Sequence, residues 1–281
     1  MNITAQMVMD LRKRTGVGMS KCKDALTEAD GNMEDAIHIL RKKGMASAIK
    51  KGARETNEGV IGFAENDKMA YLVEVNAETD FVIQNNHFKE FLENLCKEAL
   101  LTEPKSIESF LQQKYSKNEA LTIDEYRAEI VHSLGENIQI RRILDIKKSP
   151  NTSLGIYSHG GGKIVCAVTI KGAEDKESLA KDVAMHIAAE SPDYLKREDV
   201  PADILAKEEE IAKSQIKGKP PEIVDKIVQG KLKAFYEQSC LLNQKFIKDP
   251  SSSVADYVAE QGKKEGKTLE VIEFIRWQMG E

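Results

Sequence analysis

Nowhere in the 281 residues do apolar side chains run uninterrupted for the roughly eighteen positions that a membrane span needs, and the opening stretch MNITAQMVMDLRKR lacks the apolar centre of a secretory leader. The sequence therefore predicts a soluble, cytoplasmic protein that engages no membrane. Cysteine is sparse: Cys22, Cys96, Cys166 and Cys240 stand far apart, with no C-x-x-C pair and no histidine at ligand spacing, so they read as small core side chains. A phosphate loop is missing too. The one candidate, GGGK at 160–163, lacks the G-x-x-x-x-G-K-[ST] spacing and joins strand to strand, where a hairpin turn is expected. His38, His87, His132 and His159 gather no Ser, Cys and Asp pattern, and His186 shares a helical face with Leu179 and Val183, the setting of a hydrogen-bonded packing histidine. No bond-making catalysis, cofactor or metal is expected.

Residues 1–54 contain no Phe, Tyr or Trp to stack on bases, yet they hold eleven Lys and Arg against six Asp and Glu in a chain whose net charge is −5. On charge alone this basic end suits an acidic protein face as well as nucleic acid; without aromatics, direct nucleic-acid binding is not expected. Thr4 can cap a first helix with Val8 and Leu11 on one face. Cys22, Ala25, Leu26 and Ala29 mark a second helix, and Asn32 caps a third carrying Ala36, Ile37 and Leu40, which Gly44 is expected to close. The charged, aperiodic KKGARETNEG at 50–59 reads as a linker, so residues 1–54 form a small three-helix domain.

Beyond it the pattern changes to α+β and repeats. GVIGFAE and MAYLVEVN form a hairpin turning at Asn66 and Asp67, followed by an amphipathic helix through Phe88, Phe91, Leu92, Leu95 and Ala99. LGIYSH and KIVCAVTI form a second hairpin, followed by a helix through Leu179, Ala180, Val183 and Ile187. Each copy closes on a further strand, NIQIRRILDI at 137–146 and LEVIEFIRWQM at 269–279. The expected subdomains are 55–148 and 149–281. The second copy carries roughly forty additional residues, a protruding helical hairpin at about 200–240 that turns at Gly218-Lys219-Pro220-Pro221. The first hairpin exits through NAETDFV, an acid beside an aromatic at the mouth of a buried strand, whereas the second copy turns with Gly172 and ordinary acids. Either Phe81 plugs its own core or it awaits a partner.

LRKRTGVGMSKCKDAL, EVNAETDFV, GENIQIRR, AMHIAAESP and LLNQKFIKDPSSSV together, in this order, resemble hallmarks of the bacterial elongation factor Ts family over essentially the whole chain. The resemblance implies a ubiquitin-associated-like three-helix domain, then two related α/β subdomains with antiparallel sheets and an inserted coiled-coil hairpin. It implies no enzyme but a guanine-nucleotide exchange factor of translation elongation, with elongation factor Tu, GDP-bound and nucleotide-free, as partner. By the same resemblance Thr79, Asp80, Phe81 and Val82 form a turn that enters the partner's GTPase domain and dislodges Mg²⁺. Arg12, Val17, Met19 and Ser20 dock on that domain, and His159, in the Tyr157–Gly162 turn, faces a second one. Departures from the family pattern are Ala77, Ile83 where a basic residue is usual, Lys245 where proline is usual, and a sequence ending at Gly280-Glu281 without the further helix of some members.

Overall fold

Thr4 lies in extended backbone and its hydroxyl accepts from the amide of Met7, which opens α1 at Ala5–Thr15. α2 (Met19–Glu28) and α3 (Met33–Lys51) come next, the latter capped by Asn32, whose side chain accepts from the amides of Glu34 and Asp35. Val8, Leu11, Cys22, Leu26, Ala36 and Leu40 interlock as the core of this bundle. The computed structural model describes residues 3–214, 216 and 220–281. One expectation fails here, because Gly44 does not close α3. A Cβ at Gly44 would lie 3.4 Å from the Ala128 carbonyl, so the missing side chain serves close helix packing and the helix continues through it to Lys51. The stretch 50–59 accordingly begins in helix and ends in strand.

β1 (Glu58–Glu65) and β2 (Met69–Ala77) form the first hairpin. A short α4 (Asp80–Gln84), a long α5 (Asn86–Thr102), α6 (Ile107–Gln112), β3 (Lys114–Tyr115), β4 (Asn118–Thr122) and α7 (Ile123–Leu134) lead to β5 (Ile138–Lys147). The sheet order β1-β2-β5 is antiparallel throughout, and β2, buried along its length, packs Tyr71, Val73 and Val75 with Phe88, Phe91 and Leu95 of α5. Met45 and Ala48 of α3 join this second core, so one helix serves both.

The same plan recurs. β6 (Thr152–His159) and β7 (Ile164–Lys171) pair, α8 (Glu177–Glu190) covers them, and α9 (Ala202–Ser214) and α10 (Pro221–Ser239) make the helical hairpin. β8 (Lys245–Phe246), β9 (Asp249–Ser253) and α11 (Val254–Lys264) then lead to β10 (Glu270–Gln278), giving the order β10-β7-β6. The two hairpin arms meet along Ala212, Val228 and Leu232; Gly218 and Lys219 of the expected turn lie outside the described residues. The chain divides into two compact units, one reaching Lys147 and taking in Met279–Glu281, the other Lys148–Gln278.

The repeat extends further than the main strands. The Ile123 amide donates to the Gln113 carbonyl, and the Val254 amide to the Gln244 carbonyl. Tyr115 pairs with Asn118 as Phe246 pairs with Asp249, and Lys245 takes a ladder position opposite Ser253 as Lys114 does opposite Thr122. At each small hairpin a polar side chain of the long helix accepts a backbone amide: Glu98 from Ser116 (2.9 Å), and His186 Nδ1 from Ile247 (3.3 Å). With Nδ1 accepting, Nε2 of His186 donates to Gln244 Oε1 at 2.9 Å, and burial lowers the pKa of the ring.

His132 of α7 is less well served, being buried with neither ring nitrogen hydrogen-bonded among the described residues. Burial, reinforced by Lys21, Lys51 and Lys43, pushes its pKa down to about 4. Below pH 6.5 the unfolded chain takes up a proton that the folded ring refuses until about pH 4. Its contribution is thus whole above pH 6.5 and lost on descent through that window. The thermal midpoint should fall between pH 6.5 and 4, and fall less steeply in His132→Leu. Identical pH profiles for the two proteins would contradict this assignment.

Candidate functional site

β2 delivers the chain out of the core at Ala77, and the backbone then enters a short helix, α4, where an open turn is expected from the sequence. Thr79 stands at its N-cap but makes no side-chain cap to it. Its amide and hydroxyl instead donate to the two carboxylate oxygens of Glu136, at 3.0 and 2.7 Å. Two successive side chains of α4, Val82 and Ile83, are buried in the first unit's core, while Asp80 is exposed. Phe81 is 84% exposed, so it is no plug of its own core. A whole aromatic ring held in water on a helix anchored from beneath offers apolar area that contact with another molecule would bury favourably. Ile83 points inward and packs in the core, so it presents nothing to the surface.

Asn85 ends α4 and caps α5 by accepting from the His87 amide at 2.9 Å. His87 in turn closes a groove of about 510 Å³ lined by Met9, Arg12, Lys13, Gly16, Met19 and His87 itself. Met9 and Met19 expose 55% and 47% of their surface there, an apolar floor rimmed by cationic side chains. Gly16 makes the groove possible: its φ of +68° is left-handed, and a Cβ would meet His87 Cε1 at 3.1 Å. Ser133 Oγ donates to the Gly16 carbonyl at 2.8 Å and pins the loop to α7. Of the residues expected to dock, Arg12 and Met19 line this groove, Ser20 is exposed beside it, and Val17 is buried in the bundle core. Met9 and His87 join them without a signal from the resemblance. Met9 stands one helical turn before Arg12 and is accessible from that spacing; His87 comes from a distant element and is not.

His159 is exposed at the end of β6, its Nδ1 3.2 Å from the Tyr157 hydroxyl. The glycines after it turn the chain at φ of +59°, +68° and +93°, and the amides of Gly162 and Lys163 both donate to the His159 carbonyl. GGGK is thus a β-turn whose closing amides, those of Gly162 and Lys163, are already engaged. None of the described helices is long and apolar enough to cross a membrane.

The model of the family described as "Elongation factor TS" matches residues 78–281. The chain is 59% identical over 279 residues, 99% of each chain, to the Elongation factor Ts of Protochlamydia amoebophila (strain UWE25). It is 46% identical over the same span to that of Chlamydia caviae (strain ATCC VR-813 / DSM 19441 / 03DC25 / GPIC), again covering 99% of each.

Proposed function

Because the chain belongs to the elongation factor Ts family of translation elongation factors, we propose that it is the guanine-nucleotide exchange factor of elongation factor Tu, acting in the cytoplasm without bond-making chemistry of its own. The observation that carries this reading is the exposed Phe81 beside Asp80 on α4, a helix buried on its other side. In a GTPase, Mg²⁺ bridges phosphate oxygens and orders the switch segments, so a wedge that shifts the elements holding the ion loosens metal and nucleotide together. Thr79, Asp80, Phe81 and Val82 act as a unit in this scheme: Asp80 and Phe81 meet the partner, while Thr79 and Val82 hold them. The groove around Met9, Arg12, Met19 and His87 suits a helix of the same GTPase domain, its apolar floor taking an apolar face and its basic rim taking acids. Ser20 extends that face, and His159 marks a further contact on the second unit.

Release of labelled GDP from elongation factor Tu, timed with and without this protein, tests the proposal. Catalytic amounts should speed release by orders of magnitude, whereas calorimetry of the lone chain with GDP should show no micromolar site. An unchanged release rate would overturn the reading, and a nucleotide site on the lone chain would replace it with another.

A further inference from the structure

Gly135, Glu136 and Asn137, which join α7 to β5, gather hydrogen bonds from two directions. On one side Glu136 receives the amide and hydroxyl of Thr79, and the Asn137 amide donates to Glu78 Oε1 at 2.6 Å. On the other side, Lys51 Nζ donates to the Gly135 carbonyl at 2.5 Å, and Asn137 Nδ2 donates to the Arg54 carbonyl at 2.8 Å. Arg54 Nη1 reaches Glu78 Oε1 at 3.4 Å and closes the ring. The first side is the stretch entering α4 and the second is the end of α3. Lysine at a helix C-terminus is favoured by the helix dipole, and Gly135 provides the left-handed cap at φ +86° that exposes the carbonyls.

A five-residue helix cannot hold itself in water, and the hydroxyl of Thr79, which would ordinarily cap α4, is turned away to Glu136. Val82 and Ile83 seat α4 on the core, and the bonds from Thr79 to Glu136 fix the end at which the chain enters it. We propose that Glu136 is a positioning residue of the exchange step: its carboxylate clamps Thr79 so that Asp80 and Phe81 are presented in one orientation, and Asn137 ties the same clamp to the end of the docking bundle. The partner then meets a preorganised wedge at a fixed offset from the docking groove. Without the clamp, the entry to α4 must be ordered at the moment of insertion, which slows the step without weakening the groove. The inference rests on the exchange function proposed above.

Two readouts test it, amide hydrogen exchange on the lone protein and GDP release at saturating protein. In the wild type the Thr79 amide should be protected, and in Glu136→Ala that protection should be lost while the amides of β2 stay protected. Glu136→Ala should lower the maximal GDP-release rate about tenfold, the scale of one charge-assisted hydrogen bond, with the half-saturating concentration within about twofold of wild type. Glu136→Gln, which has the same shape and keeps one acceptor, should fall between the two and guards against a folding defect. Adding Thr79→Val to Glu136→Ala should cost little more, because the hydroxyl has then already lost its acceptor, whereas Thr79→Val alone keeps the amide bond and should be the milder change. A Thr79 amide that exchanges equally fast in wild type and variant overturns the clamp whatever the kinetics. So does a variant whose loss appears wholly in half-saturation, which assigns Glu136 to docking. A wild-type protein that protects Thr79 but fails to speed GDP release overturns the exchange function instead, and the role given to Glu136 with it.

Discussion

Phe81→Ala should lower the rate of GDP release about ten- to hundredfold at sub-saturating protein while leaving the melting temperature almost unchanged. The first part follows from burying a whole aromatic side chain in a partner, worth about 1.5 to 3 kcal/mol and typical of an interface hot spot. The second follows from its 84% exposure, since truncation of a side chain already in water moves stability by about 0.5 kcal/mol at most. Asp80→Ala, exposed on the same helix, should behave likewise. Ile83→Ala should do the reverse, costing about 2 to 5 kcal/mol of stability, because that side chain is part of the core beneath. Kinetics of GDP release together with thermal melts of the three variants give the comparison. If Phe81→Ala lost several kcal/mol and kept its exchange rate, the residue would be structural and the proposed wedge would have to be abandoned.

Much of the fold is legible in the sequence because its signals are local and strong. The apolar run at 69–77, alternating apolar residues at 138–146 and turn residues at Asn66 and Asp67 specify strands without help from the rest of the chain, and the structure pairs them as β1-β2-β5. The departures have physical causes. Gly44 reads as a helix end because glycine usually punctuates, whereas here it lets α3 approach the Ala128 carbonyl. α4 reads as a turn because five residues are too few to show a helical period. β3 and β8 escape the pattern because they are two residues long, and β4 and β9 because they are short and open on Asn118 and Asp249-Pro250. Yet Gln113-Lys114-Tyr115 and Gln244-Lys245-Phe246 repeat almost letter for letter, and aligning the two copies past their long helices exposes both hairpins.

The candidate site is only partly legible. Whether Phe81 faces its own core or water cannot be read from residue types, since the two residues after it, Val82 and Ile83, are also apolar and a small rotation of the helix exchanges their burial. Comparison of the copies leans the right way, because the second copy folds with Gly172 in the corresponding stretch. Val17 looks like part of an apolar docking loop but is buried in the bundle. Met9 and Met19 supply the apolar surface instead. Glu136 stands within GENIQIRR, one of the stretches that carry the resemblance, but an acid before a strand names no partner, and its contact with Thr79 lies 57 residues away in sequence.

The largest effect expected is a coupling between ligands of the partner. If this protein acts by making the Mg²⁺ and GDP sites of elongation factor Tu unfavourable, its interface free energy opposes that of the nucleotide, and the factor by which it weakens GDP must equal the factor by which GDP weakens it. Ordinary allosteric couplings run to about 150-fold; expelling a tightly held nucleotide requires more. Mg²⁺, which strengthens GDP in the partner, should deepen the antagonism but have little effect when nucleotide is absent. The most direct measurement is the dissociation constant of the complex, titrated with GDP at several Mg²⁺ concentrations. The account predicts that affinity for elongation factor Tu falls by more than about 150-fold at saturating GDP and falls further as Mg²⁺ rises. An affinity indifferent to both GDP and Mg²⁺ would contradict it, leaving a protein that binds its partner without acting on the nucleotide.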